Sequence, residues 1–323
     1  MMNRKIFVVC PGGVVTGGPE LLHQLVHELR EIGLNAFISY YPFEIEFKTP
    51  EPYSSIYNIT IAKPEKSEHN IMVIPESATR LAKKYDPMQI IIWWQSVDNY
   101  YRIPPQKGWR SWVPITLASR LARAPLNSLR RYTHLAQSEY AKAHLRANNI
   151  SARMLGDYLT KAHELDTSEI FRSNSVAFNP RKGMKITSKL INALPHVKFQ
   201  AIENMTTEQV NNILRSVKIY IDFGEHPGKD RLPREAALAG ACIITGMAGA
   251  AANALDIPIP QSYKLNSSSE NFIADFELLT SKIFNNFEQS TIDFEQYRKK
   301  ILQEKEEFSI QCKNLFQMNI SDI

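Results

Sequence analysis

The run YIDFGEHPGKDRLPREAALAGACIIT at 220–245 constrains this chain more than any other segment. An apolar, strand-like stretch at 218–223 breaks into a loop holding Gly224, His226, Pro227 and Gly228. The loop feeds a helix whose start carries Pro233 and Glu235 and whose end is Gly240, and an apolar strand at 241–245 follows at once. Two buried strands joined through a helix predict a βαβ unit in a parallel sheet. A loop of this kind turns unpaired backbone N–H groups toward an anion at the helix start. A carboxylate one turn inside, Glu235, is then placed to accept hydrogen bonds from sugar hydroxyls. The combination points to a nucleotide sugar; the plainer alternative is an ordinary βαβ turn with a surface glutamate.

The rest of the chain repeats the same alternation. Residues 5–10 (KIFVVC) form a continuous apolar run of the kind buried in a parallel sheet. The loop PGGVVTGGPE follows, and Leu21, Leu22, Leu25, Val26, Leu29 and Ile32 mark one helical face that Gly33 ends. Further strands are expected at 35–40, 71–74, 89–94 and 133–136, with a helix at 139–147. The pattern restarts at 175–178 and 197–202, and Thr206 and Gln209 have capping-box spacing for a helix with Val210, Ile213, Leu214 and Val217 as its buried face. A chain of 323 residues is long for one core. The expected division is a Rossmann-like domain at 1–160, a polar linker at 161–174, a second Rossmann-like domain at 175–290 and a helical tail at 291–323.

The residues at 220–245 resemble the Glu–x7–Glu motif of GT-B glycosyltransferases, written roughly EGFGLPxxEAxAxG. Glu225 and Gly228 match its first part, Leu232 and Pro233 the LP, and Glu235 and Ala236 the EA. Here Lys229, Asp230 and Arg231 intervene, so the spacing is E–x9–E, and the role of Glu235 carries over better than that of Glu225. Gly17, Gly18 and Glu20 resemble the family's first glycine loop, with a tight strand-to-helix turn as the alternative. Lys182 and Gly183 resemble its Lys-Gly, and Arg181 is the substitute for an arginine the family places five residues before that lysine.

The resemblance implies an α/β GT-B fold: two tandem doubly wound domains, a cleft between them and a C-terminal helix crossing back. It implies a transferase that moves a sugar from a nucleotide donor to a glycan or lipid-linked acceptor hydroxyl, as in bacterial surface polysaccharide or lipopolysaccharide synthesis. Donor contacts would come from Gly17, Gly18, Arg181, Lys182, His226, Gly228, Arg231 and Glu235. Catalytic roles would fall to Glu225 and to Lys182, which offsets charge on the leaving diphosphate. Asp98, just past the strand at 89–94, is a candidate base for the acceptor, and Trp93, Trp94 or Tyr100 are candidates to stack on sugar; Asp-Asn there is equally turn chemistry. Two other readings stay open, a nucleotide-sugar 2-epimerase of the same fold and a silent glycan-binding scaffold.

Other chemistries find less support. The first glycine loop lacks G-x-G-x-x-G spacing and an acidic partner after the second strand, which argues against NAD. Asp-x-Asp is absent, and no His/Cys cluster shows metal-ligand spacing, so neither a metal nor another cofactor is expected. Cys10, Cys242 and Cys312 are too few and scattered for a disulfide frame, and the N-terminal apolar run is strand-length, so a cytoplasmic protein is expected. The net charge of +5 is uneven. Between Asp98 and Glu139 lie Arg102, Lys107, Arg110, Arg120, Arg123, Arg130 and Arg131, with Tyr100, Tyr101, Trp109 and Trp112 among them, and no acid. This segment suits an anionic membrane surface, or a helical face whose acidic partners come from elsewhere; no motif for specific nucleic-acid reading accompanies it.

Overall fold

A computed structural model describes residues 4–101, 123–160 and 171–317. They fall into two compact units, Met1–Asp157 with Glu306–Ile323, and Tyr158–Lys305. The expected linker stretch at 161–170 lies outside the described residues, as do Arg102, Lys107, Trp109, Arg110, Trp112 and Arg120.

In the first unit, β1 (Lys5–Pro11), α1 (Gly17–Glu31), β2 (Asn35–Tyr41), β3 (Ile71–Pro75), β4 (Gln89–Trp94), β5 (Thr133–Ala136), α2 (Glu139–Ala147) and β6 (Arg153–Met154) alternate with short helical turns. The six strands run parallel in the order β2-β1-β3-β4-β5-β6. Right-handed crossovers from that order put helices on both faces, which is why β1, β3 and β4 read as unbroken apolar runs. Leu21, Leu22, Leu25, Val26 and Leu29 of α1 are all buried, as the periodicity expects. His23 sits among them with Nδ1 at 2.6 Å from the Pro19 carbonyl and Nε2 at 2.7 Å from Tyr40 Oη, a satisfied core histidine.

The second unit holds β7 (Ser173–Phe178), α3 (Met184–Ala193), β8 (Lys198–Ala201), α4 (Thr207–Ser216), β9 (Val217–Asp222), α5 (Arg231–Leu238), β10 (Cys242–Thr245) and α6 (Phe272–Asn285). Its sheet is parallel with order β10-β9-β7-β8. The chain order therefore reverses between β7 and β9, the place where open α/β sheets bind ligands at the carboxyl ends of their strands. The capping box of α4 forms as expected: Thr206 Oγ1 accepts from Gln209 N and Gln209 Oε1 from Thr206 N.

Most strand limits move by at most a single residue, and two shifts matter more. Val217 opens β9 instead of closing α4, and β7 starts at Ser173, two residues early. The second shift has a physical cause in Arg172. Its guanidinium donates to the carbonyls of Leu214, Val217 and Ala239, so the polar stretch before the strand is tied to α4, β9 and the end of α5. A cation on the last carbonyls of helices is favoured by the helix dipole.

The last helix, α7 (Glu295–Phe316), begins in the second unit and from Glu306 is grouped with the first, the crossing expected of the tail. Phe294 just before it and Tyr297, Ile301 and Phe308 along it are buried. Among the described residues, no helix is long and apolar enough to cross a membrane.

Candidate functional site

At the switch point of the second sheet, two loops meet backbone to backbone. The loop after β7 ends at Gly183 (φ +61°), which begins α3. A Cβ there would lie 2.5 Å from the Phe223 carbonyl carbon and 2.7 Å from Gly224 N, in the loop after β9, so only glycine permits the approach. From below, the loop after β10 supports the same segment: Gly249 (φ +53°) would place a Cβ 2.1 Å from the His226 carbonyl oxygen, and Ala250 N donates to that oxygen at 2.8 Å.

These contacts bring together charged groups that lie far apart in sequence. Lys182 Nζ, from the β7 loop, donates to Asp230 Oδ1 in a short ion pair. Asp230 occupies the N-cap position of α5 but makes no capping bond; its other oxygen, Oδ2, is 3.1 Å from His226 Nδ1, ion-pair distance without hydrogen-bond alignment. His226 Nε2 donates to the Asp222 carbonyl at 3.2 Å and stands 3.4 Å from Asp222 Oδ1. Asp222 in turn accepts from Gly224 N at 2.9 Å and from the Tyr220 hydroxyl at 3.4 Å.

Burial alone would make His226 harder to protonate, but Asp230 and Asp222 outweigh it and raise the imidazole above its ordinary value. Burial likewise opposes ionisation of Asp230, yet His226 and Lys182 hold its carboxyl below the usual range. Asp222, deeper and less well compensated, is raised chiefly by desolvation.

A second buried network anchors the loop from behind. Arg234 on α5 donates to Glu304 Oε2 at 2.6 Å, and Lys229 Nζ reaches Glu304 Oε1 at 3.2 Å. Arg234 also donates to the Lys229 and Asp230 carbonyls, so the residues interrupting the Glu–x7–Glu spacing are tied through Arg234 and Lys229 to Glu304, midway along the helix Glu295–Phe316.

The structure thus places Lys182, Gly183, Gly224, His226, Asp230 and Arg231 in one loop assembly. Arg231 pairs with Glu235 one turn on, Nε to Oε1 at 3.4 Å, and Glu235 is buried while Glu225 and Arg181 are exposed. Gly228 is buried within the loop. His226 differs from expectation: its side chain is 0% exposed and both ring nitrogens face protein acceptors, leaving none for a sugar or phosphate. Asp222, Asp230 and Glu304 were not anticipated. The four-residue steps 222–226–230 gather a histidine and two carboxylates within 4.8 Å, a grouping the spacing rules overlooked. The Lys182 ammonium already stands against Asp230, so we read it as an ion-pair network and not as a metal site.

In the first unit, Gly17 and Gly18 open α1, Gly17 exposed and Gly18 within reach of Gln95. Asp98 lies in the short helix Val97–Tyr101 past β4, partly exposed, and its charge acts on Tyr140 and His144 of α2. Trp93, Trp94 and Tyr100 are not sugar platforms. Both indoles are fully buried and donate to the Leu155 carbonyl and to His134 Nδ1, while the Tyr100 hydroxyl donates to the Ala124 carbonyl at 2.6 Å. Of the basic segment, Arg131 finds an acidic partner from elsewhere, Asp86, at 3.0 Å.

Glu76, at the carboxyl end of β3, is fully buried and accepts from Gln95 N at 3.0 Å. Desolvation pushes its carboxyl up to about 7. The folded protein therefore binds this proton more tightly than the unfolded chain, whose value is near 4.5. Stability from this group is complete at low pH and is lost as pH rises through about 7, an effect of about 3 kcal/mol. Glu76→Gln is expected to flatten that loss; equal declines of wild type and variant in urea midpoint on going from acid to alkaline buffer would refute it.

No family model matches the sequence, and no curated protein matches it. Solved structures match the fold over nearly the whole chain. Sucrose-phosphate synthase from Thermosynechococcus elongatus superposes with a TM-score of 0.68 at 9% identity, covering 99% of this chain and 100% of that one. Alr3699/HepE from Anabaena, solved in complex with UDP, gives 0.64 at 9% identity with 99% and 100% covered. A glycosyltransferase from Rickettsia africae gives 0.63 at 13%, again with 99% and 100% covered. The chain has the GT-B fold, two Rossmann-like domains with a C-terminal helix.

Proposed function

We propose that this protein is a glycosyltransferase that takes a sugar from a nucleotide-sugar donor bound in the second unit and transfers it to an acceptor hydroxyl. The observation that carries this reading is the meeting of the β7 and β9 loops at the switch point, where an ammonium, Lys182, stands beside the start of α5. A diphosphate is favoured by a cation standing beside a helix N-terminus. The fold shared with a UDP-bound protein and a sucrose-phosphate synthase supports it further.

In the reaction, the acceptor oxygen bonds to the anomeric carbon, the bond from that carbon to the diphosphate oxygen breaks, and the acceptor proton passes to a base. Asp98 is the proposed base for that proton, and Glu235, held by Arg231, the proposed acceptor of sugar hydroxyls. Lys182 meets the charge that grows on the leaving diphosphate, the part a metal ion plays in other transferases, so we propose metal-independent transfer. Glu225, exposed on the loop, keeps the role implied by its motif. A glycan or lipid-linked acceptor in surface polysaccharide synthesis, reached from the inner membrane face, fits the arginine- and tryptophan-bearing stretch at 100–131.

A thermal-shift screen of UDP-, ADP-, GDP-, CMP- and dTDP-sugars tests the donor claim. One or more should stabilise the protein, and Lys182→Ala should weaken that binding roughly 10- to 100-fold, as loss of a charge-assisted contact does. No stabilisation by any of the five would leave the silent scaffold as the better reading.

A further inference from the structure

Resting on that donor site, we infer that His226 and Asp230 form a charge-cancelling pair that positions Lys182 for the donor diphosphate: Asp230 fixes the ammonium, and the His226 imidazolium cancels Asp230 so that the lysine charge remains available.

The geometry carries this in three steps. Nε2 of His226 faces a carbonyl oxygen, which only accepts, so Nε2 carries a hydrogen. Nδ1 faces a carboxylate oxygen at 3.1 Å, and a bare nitrogen lone pair against that charge is repulsive, so Nδ1 carries one as well. The ring is therefore an imidazolium, in keeping with its raised value. Without it, Asp230 would spend its whole charge on Lys182.

Exposure then separates the roles. The His226 side chain is 0% exposed, that of Asp230 14% and that of Lys182 38%. Only the ammonium reaches the open end of the network, where it keeps two N–H donors beyond the one given to Asp230. Among the described residues, the charged and titratable groups around the pair include Asp222 from β9 with the Tyr220 hydroxyl on it and Lys182 from the β7 loop, while from α5 Arg234 donates to the Asp230 carbonyl and Glu235 acts on Tyr220. From the β10 loop, the neutral Ala250 N–H donates to the His226 carbonyl. His226 holds a left-handed backbone (φ +46°), a strained conformation for a non-glycine residue that the surrounding contacts maintain.

The test is second-site rescue. Affinity for the nucleotide sugar chosen by the thermal-shift screen is measured by calorimetry for wild type, His226→Asn, Asp230→Asn and the double variant. His226→Asn should weaken binding about tenfold, because an uncancelled carboxylate now neutralises Lys182. Adding Asp230→Asn should restore it to within about threefold of wild type, which repair of a merely structural defect would not do. Wild-type affinity should also fall as pH rises, while that of the double variant stays flat; the donor's diester phosphates do not titrate in the neutral range. Failure of Asp230→Asn to rescue, or unchanged affinity in His226→Asn, overturns the inference. Should the single variant fold poorly, parallel pH profiles for wild type and the double variant overturn it equally. A wild type that binds no nucleotide sugar instead sinks the donor-site reading beneath it.

Discussion

Replacing Glu304 by Ala is expected to cost the second unit roughly 3–5 kcal/mol, the loss typical when one partner of a buried ion pair is removed. Arg234 is 1% exposed and Glu304 4%, so the guanidinium left behind has no route to water. Its donors to the Lys229 and Asp230 carbonyls would remain, but those two acceptors are neutral and do not replace the carboxylate that Glu304 supplies. Lys229 would lose its ion pair with the same glutamate too. Urea unfolding followed by circular dichroism measures the cost, and a loss below about 1 kcal/mol would remove the network from any account of stability. The charge-free pair Arg234→Met with Glu304→Leu separates pairing from packing. It should recover most of the loss, because well-packed apolar residues commonly replace buried ion pairs without penalty.

Gly249→Ala is the second substitution with a large expected effect, for a reason unrelated to charge. Its Cβ would meet the His226 oxygen at 2.1 Å and the Glu225 oxygen at 2.3 Å, both backbone atoms that no rotamer change can move. Left-handed strain at φ +53° adds to the clash, and together they should cost roughly 2–5 kcal/mol. Gly33 supplies the control, with φ +84° and nothing within 4 Å of where a methyl group would stand. Gly33→Ala should lose only the strain, about 1–2 kcal/mol. Equal losses at the two positions would show that the close approach to the His226 loop carries no energetic weight.

The elements were legible where the determining forces are local. The limits of β4, β5 and α2 follow from apolar runs and turn residues, and the Thr206 to Gln209 capping box from spacing alone. Lys182 and Gly183 were singled out by likeness to a family Lys-Gly, and Gly183 proves to be the left-handed residue that begins α3. What escaped depends on contacts across the chain. Arg234 looks like a surface charge on a short helix until Glu304, seventy positions on, arrives to bury it. Asp222, His226 and Asp230 have helical spacing but sit on a strand end, a strained turn and a helix cap, so no single periodicity joins them. Trp93 and Trp94 seemed available at a strand end because sequence does not show which neighbours cover a ring. Their indole N–H groups are taken by Leu155 and His134, partners that only the sheet assembles.

The backbone-on-backbone seating of the β7, β9 and β10 loops also sets where this protein can diversify. Gly183 and Gly249 form a floor that accepts no added carbon, while Arg181, Met184, Glu225 and Met247 stand exposed around it. On the proposed donor site, changes of donor preference, by natural drift or in a laboratory library, would be channelled to that rim. The same feature that fixes the loops thus leaves selectivity open to revision without refolding the domain.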